Sequence, residues 1–429
     1  DVLGSRGLGD VYKRQAIMRI ITRCVIYDER MKGKSGGGYI MSDKICSSAD
    51  KVLEVFLENA PMDTSHHRMV KQQNKCGYGL QGVCCRLCSN GPCRLSPAKP
   101  KGVCGADADT IACRNFLRQV AAGSGCYTHI VENTARRLKE MAQELQAEGK
   151  KPKYKDSVAK LAKILQINCC GNCGPDCHNS CAKTAEMIAD AVLADIRKPY
   201  DEKMTLMKNI ALPKRYELWE KLGILPGGAK DEIFNAVVKT STNLNSDPMD
   251  MLLQCLRLGI STGNYGLILT NLMNDIIMGP PQISMDPVGF RIIDPEYINI
   301  MITGHQQSMF ADLEEKLESE IVQKSAELVG AKGIRIVGCT CVGQDYQARS
   351  GYYKDVYCGH AGNNYTSEAV LMTGCVDLVV SEFNCTIPGI EPICDQLDIK
   401  MLCLDDVAKK ANAQLLPYTC LLYTSDAAD

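Results

Sequence analysis

Aromatic residues make up only 6% of the 429 residues, tryptophan occurs once, and histidine occurs six times. Neither sign of charge is in excess, since 49 basic and 50 acidic residues leave a formal net charge of −1. Without a basic stripe, no nucleic-acid partner is expected. No apolar run reaches the ~20 residues that span a bilayer, so no membrane span is expected. The segment from Ala16 to Tyr27 is interrupted by Arg19 and Arg23 and lacks a small-residue cleavage pattern, which argues against a secretory leader. What the chain does carry is cysteine, 24 residues of it. Disulfide-dense folds are usually short and secreted, because a small core needs covalent staples. A chain this long can build two or three domains with real cores. Reduced cytoplasmic thiols acting as metal ligands are therefore the better reading.

The two ends fit no element. Residues 1–40 have no clear period, and Gly36-Gly37-Gly38-Tyr39-Ile40 precedes Met41, as a translated ribosome-binding site would. Residues 1–40 and 420–429 are expected to be non-native or disordered, with Met41 the natural start and the authentic protein continuing beyond residue 419. Between them, 41–240 is expected to be a helical cluster-bearing domain. Ile130, Val131, Ala135, Leu138, Met141 and Leu145 share one face at helical period, with Arg136, Arg137, Lys139 and Glu140 off it. Ala185, Ile188, Ala191, Val192 and Ile196 repeat the pattern.

A second domain is expected over 241–419, and after residue 290 the texture changes. Short apolar runs at 297–302, 333–338, 376–380 and 400–404 read as buried strands, with helix-length segments at 306–330 and 361–374 between them. Alternation of this kind predicts a parallel, doubly wound, Rossmann-like sheet. The expected fold class is thus multi-domain, α followed by α/β.

The strongest local signal is Cys76-x7-Cys84-Cys85-x2-Cys88-x4-Cys93-x10-Cys104, interspersed with glycines that let the backbone fold tightly. Six thiols in about thirty residues exceed one tetrahedral zinc site. Two iron–sulfur clusters are the leading reading, with zinc and structural thiols as alternatives. A second set comes from the strand ends, where ligands bind in doubly wound sheets. The first predicted strand ends at Thr303-Gly304-His305, the next at Cys339-Thr340-Cys341, and the third at Phe383-Asn384-Cys385. Soft and imidazole donors on one rim suit a further iron–sulfur or mixed-metal cluster, whereas a single such cysteine would be read as a small buried hydrophobe. A third group is Cys169-Cys170-x2-Cys173-x3-Cys177-x3-Cys181. An additional iron–sulfur cluster is its leading reading, with zinc or structural thiols behind it. His66 and His67 read as solvated surface.

Lys75-Cys76-Gly77-Tyr78-Gly79, Cys84-Cys85-Arg86-x-Cys88, Pro92-Cys93-Arg94 and Gly102-Val103-Cys104-Gly105 closely resemble the opening motif of nickel-containing carbon monoxide dehydrogenases, relatives of the hybrid-cluster proteins. The likeness runs from about residue 50 to 415. It implies a homodimer in which Cys76 and Cys84 hold a [4Fe–4S] cluster shared across the axis. It also implies a second [4Fe–4S] cluster in each subunit, held by Cys85, Cys88, Cys93 and Cys104. Cys341 and Cys385 match two cysteines of the family's nickel–iron–sulfur cluster. In the family's His-Gly-His run the metal-binding histidine falls on Thr303, and only the second is kept, as His305. Either His305 moves in, or the cluster is remodelled with oxygen ligands. His305, Thr303 and His129 are the candidate catalytic residues, His129 being offset from the family's histidine series.

These departures predict substoichiometric nickel and slow CO oxidation. The resemblance implies CO oxidation with water, with electrons passed to ferredoxin or a similar acceptor. The alternatives are a hybrid-cluster-type reductase of hydroxylamine or similar small nitrogen oxides, and an electron-transfer or redox-sensing iron–sulfur protein.

Overall fold

The computed structural model describes residues 51–416 apart from 73, 169–179, 242–243 and 353–354. The described residues divide into two compact units: Asn74–Pro280, and a second formed by the described residues before Asn74 together with those from Pro281 to 416.

The first unit is helical. Its spine is a 40-residue helix, Ala108–Ala147, about 60 Å long at 1.5 Å per residue. Asp107 caps its start by accepting the Thr110 amide at 2.9 Å. Gly149, at φ +65°, ends it in a left-handed turn that returns the Lys150 amide to the Leu145 carbonyl at 2.8 Å. The expected apolar stripe is the buried one: Val131, Ala135 and Leu138 pack with Ile188, Val192 and Ile196 of the helix Ser180–Ile196. Arg137, expected off the stripe, is buried and pairs with Glu144 at 3.6 Å. Helices Pro248–Ser261 and Thr270–Ile277, joined by a π-helical stretch Thr262–Leu269, also belong here. The compact unit therefore ends at 280 rather than 240, because Tyr265, Leu269 and Met273 complete the same apolar core.

A small antiparallel ribbon, β1 (Cys84–Cys85) and β2 (Cys93–Arg94), precedes the long helix. Asn115 of that helix pins it, donating to the carbonyls of Gly82 and Cys84 at 3.0 Å each.

The second unit is a six-stranded sheet, parallel throughout. Its strands are β3 (Ile298–Thr303), β4 (Ile334–Cys339), β5 (Tyr357–Gly362), β6 (Leu378–Ser381), β7 (Lys400–Cys403) and β8 (Gln414–Leu415). They lie in the order β5-β4-β3-β6-β7-β8. Counted from the first strand this is 3-2-1-4-5-6, the doubly wound order whose switch point lies beside the first strand. Strands β5 and β8 have no counterpart in the sequence expectation. Tyr357-Cys358-Gly359-His360-Ala361-Gly362 contains two glycines and no β-branched residue, so intrinsic strand preference is weak and the neighbouring β4 supplies the pairing. The expected helix at 306–330 is two, Ala311–Leu317 and Glu320–Leu328, and that at 361–374 shrinks to Ser367–Met372 because β5 takes its start. His66, expected in solvent, is 3% exposed, and the His67 ring reaches the Thr64 amide at 3.2 Å and the Glu58 carbonyl at 2.8 Å.

Candidate metal centre

Three strand ends meet at the switch point. His305 follows β3, Cys341 lies in the first turn of the helix Thr340–Ala348 that leaves β4, and Cys385 follows β6. Their ligand atoms all lie within 4.8 Å of one another, and among the described residues no other three His, Cys, Asp or Glu side chains converge so closely. The two sulfurs are 3.3 Å apart, and Cys385 Sγ is 3.7 Å from His305 Nδ1. The backbone is bent to deliver them. Thr340, Asn384 and Cys385 have φ of +58°, +61° and +54°, a region costing roughly 1–2 kcal/mol for residues other than glycine. Such strain at a convergence of donors is the kind found at ligand clamps. Gly343 lets the helix lie close against β4 and β5: a Cβ there would stand 2.6 Å from the Gly338 carbonyl carbon and 2.8 Å from His360 Nδ1.

Thr303 is outside the trio. Its buried hydroxyl lies 3.2 Å from that of Thr340 and 3.3 Å from that of Thr386. Thr340 in turn accepts from the Gly304 amide at 2.8 Å and donates to its carbonyl at 2.9 Å. The threonine hydroxyls thus tie β3, β4 and the β6 loop together.

The ribbon cysteines form a different kind of site. Cys76 and Cys104 are exposed, and Cys84, Cys85, Cys88 and Cys93 are half-buried, all as free thiols. Cys85 faces Cys93 across the ribbon, and the Val103 amide donates to Cys93 Sγ at 3.5 Å. The Cys76 thiol is lowered by the amides of Gly79 and Tyr78. The Cys104 thiol is lowered by the Ala106 amide, with Arg114 contributing. Both ends of the motif therefore favour thiolate, the form that ligates metal.

The model of the Prismane/CO dehydrogenase family matches residues 83–424. The chain belongs to that family. It is 45% identical over 377 residues to a carbon monoxide dehydrogenase of Methanopyrus kandleri, covering 87% of this chain and 57% of that protein. It is 42% identical over 378 residues to one of Methanocaldococcus jannaschii, covering 87% and 59%. Among solved structures, an as-isolated, nickel-free carbon monoxide dehydrogenase from Thermococcus sp. AM4 matches with a TM-score of 0.77 at 28% identity, over 88% of this chain and 58% of that one. The chain thus spans under three-fifths of the length of these relatives.

In this Prismane/CO dehydrogenase family member the trio is electrostatically asymmetric. The Cys341 thiol is drawn down to about 4, first by a hydrogen bond from Cys385, then by His305. Cys385 is correspondingly pushed up by Cys341 and by burial. The pair shares one proton, and the helix N-terminus at Cys341 favours the charge it carries. Around the trio stand groups that sequence reasoning missed. His360, on unrecognised β5, is lowered by burial, and its Nδ1 has no hydrogen-bond partner. Asp345, one turn beyond Cys341, is raised by burial against the pull of Arg349 and His305. Glu382 is wholly buried, and burial raises it well above the carboxylate range. Only Glu382 carried a legible signal, a carboxylate one residue beyond the end of the strand-like run Leu378-Val379-Val380-Ser381.

His129 lies on the long helix, its Nε2 3.1 Å from Asn133 Nδ2. Cys169, Cys170, Cys173 and Cys177 lie outside the described residues. Cys181 is 1% exposed, in the first turn of Ser180–Ile196. Among the described residues, no helix is long and apolar enough to cross a membrane.

Proposed function

We propose that this chain carries part of the catalytic apparatus of an anaerobic carbon monoxide dehydrogenase. CO and water become CO2, two protons and two electrons, and the electrons leave through [4Fe–4S] clusters to ferredoxin or a similar acceptor. The observation that carries this reading is the convergence of His305, Cys341 and Cys385 at the switch point of the sheet. Two sulfurs and an imidazole suit nickel, iron or an iron–sulfur body rather than a hard cation. Bound there, a nickel–iron–sulfur cluster would supply a soft metal for CO and a reservoir for its electrons.

The chain's own residues prepare that position. Cys341 stands ready as thiolate, and the left-handed turn at Asn384 and Cys385 aims the second sulfur beside it. His305 takes the place expected of the family histidine that falls on Thr303, while the Thr303 hydroxyl is engaged by Thr340 and Thr386. This favours an imidazole-ligated nickel-type centre over an oxygen-containing hybrid cluster. It also removes the ground for expecting weak nickel retention. The ground for expecting slow CO oxidation, the interrupted histidine series, leaves His129, paired with Asn133, to accept protons in the helical unit. Cys76 and Cys84 serve the cluster shared across a homodimer, and Cys85, Cys88, Cys93 and Cys104 the one within each subunit.

The test is anaerobic preparation of the intact protein, matured with nickel and assayed with a dye acceptor. Nickel equimolar with subunits and CO oxidation dependent on it are expected. Nickel-free protein that turns over hydroxylamine and not CO would sink the proposal.

A further inference from the structure

The loop that presents His305 has no regular structure of its own. It runs from the end of β3 through Gly304 to the short 3-10 turn Gln307–Met309. What fixes it comes from β6. Glu382, the residue after that strand, is wholly buried and sends its side chain under the loop. One carboxyl oxygen, Oε1, accepts both the His305 amide and the Gln306 amide, the latter at 2.7 Å. The other, Oε2, has no hydrogen-bond partner. Gly304 makes room: its φ is +142°, and a Cβ there would run into the carboxyl group. The backbone of β6 also takes part, since the Glu382 amide donates to the Thr303 carbonyl at 3.1 Å. Three residues further along the same strand end stands Cys385.

We propose that Glu382 is a positioning residue of the metal centre: its carboxyl group grips the two successive amides at His305 and Gln306, and so sets the imidazole of His305 against the sulfurs of Cys341 and Cys385. One strand end then supplies a ligand directly, through Cys385, and orients another from the neighbouring strand. The grip depends on an oxygen acceptor at Oε1 and not on charge, so Glu382→Gln preserves it and Glu382→Ala removes it. Groups that orient a metal ligand in this way typically change metal affinity by about 10–100-fold when lost. This inference rests on the reading of His305 as a ligand.

The test separates the two. In metal-free intact protein, amide hydrogen exchange at His305 and Gln306 should quicken by about tenfold or more in E382A and stay near the unmodified rate in E382Q, because the amides lose or keep their acceptor. In nickel-matured protein, E382A should lose about tenfold or more of its nickel retention. It should also lose the imidazole-nitrogen coupling of the paramagnetic centre, while the iron held by Cys85, Cys88, Cys93 and Cys104 is unchanged. E382Q should restore both. Should E382A not accumulate as folded protein, Glu382→Asp draws the carboxyl back by one methylene and should quicken the same two amides. Unchanged exchange in E382A, equal effects of E382A and E382Q, or full nitrogen coupling in E382A would each overturn the positioning role alone. Absence of nitrogen coupling in the unmodified, nickel-loaded protein would overturn the reading of His305 as a ligand, and the positioning role with it.

Discussion

The ribbon and the strand-end trio both gather cysteine, by opposite means. Between Cys76 and Cys104 the donors come from one short stretch whose strands are two residues each, and the thiols there are exposed or half-buried. At the trio, His305 and Cys385 are 80 residues apart, yet Nδ1 and Sγ stand 3.7 Å from each other. A parallel sheet and a set of threonine hydrogen bonds hold them there. The ribbon has a small apolar base, Leu95, Ala106 and Ile111 with Val83 and Cys85 against it. The sheet has Met301, Val337, Val379 and many more. Preorganisation at the trio comes from the core of a domain, whereas the ribbon draws little from burial and would gain more from a bound metal.

That contrast can be broken most severely at the ligands. Cys341→Ser or Cys385→Ser should reduce CO oxidation to background and remove the nickel, leaving the ribbon iron in place and the fold intact. Cys76→Ser with Cys84→Ser should do the converse, removing one [4Fe–4S] cluster per dimer. Iron and nickel analysis with electron paramagnetic resonance checks both. Metal loss that spreads from either site to the other would mean that the two are not separately built.

A gentler probe reads the electrostatics. The Cys341 thiol is lowered to about 4 by Cys385 and His305, so its thiolate is complete well below neutrality and is lost only as pH falls through that value. In metal-free protein its alkylation rate should be nearly flat from about pH 6 to 8, whereas an ordinary thiol near ~8.5 gains almost tenfold per unit there. Mass-spectrometric mapping of alkylated Cys341 against pH decides it. A tenfold rise per unit would place the proton on Cys341 and reverse the asymmetry of the pair.

The smallest effect is expected at Thr303. Thr303→Val removes its contacts with Thr340 and Thr386 and should cost about 1–2 kcal/mol, seen as a lower midpoint in chemical denaturation. Nickel and iron content should be kept. Metal loss in T303V without loss of stability would return Thr303 to the ligand set.

Legibility in the sequence followed the range of the interactions. Strands rich in β-branched residues, such as Ile298–Thr303 and Ile334–Cys339, were readable because burial on both faces demands a continuous apolar run. Strand β5 was not, since its glycines owe their conformation to β4, and with it His360 was lost from view. The helices at 248–277 read as the start of the second domain although the texture changes only after residue 290, and their packing with the long helix assigns them to the helical unit.

By itself, then, the sequence determined the thiol-rich motif from Cys76 to Cys104, the helical stripes and the parallel character of the sheet. Each follows from spacing or period within a few turns or strands. Which strands neighbour one another was decided by tertiary structure, and with it the choice of His305 over Thr303 as the imidazole beside Cys341 and Cys385. The register of β3 between β4 and β6 turns the Thr303 hydroxyl toward Thr340 and Thr386. Glu382 then holds the amides of His305 and Gln306, so His305 is carried to the sulfurs. These are contacts between residues 36 to 83 positions apart, and their geometry exists only once the sheet has formed.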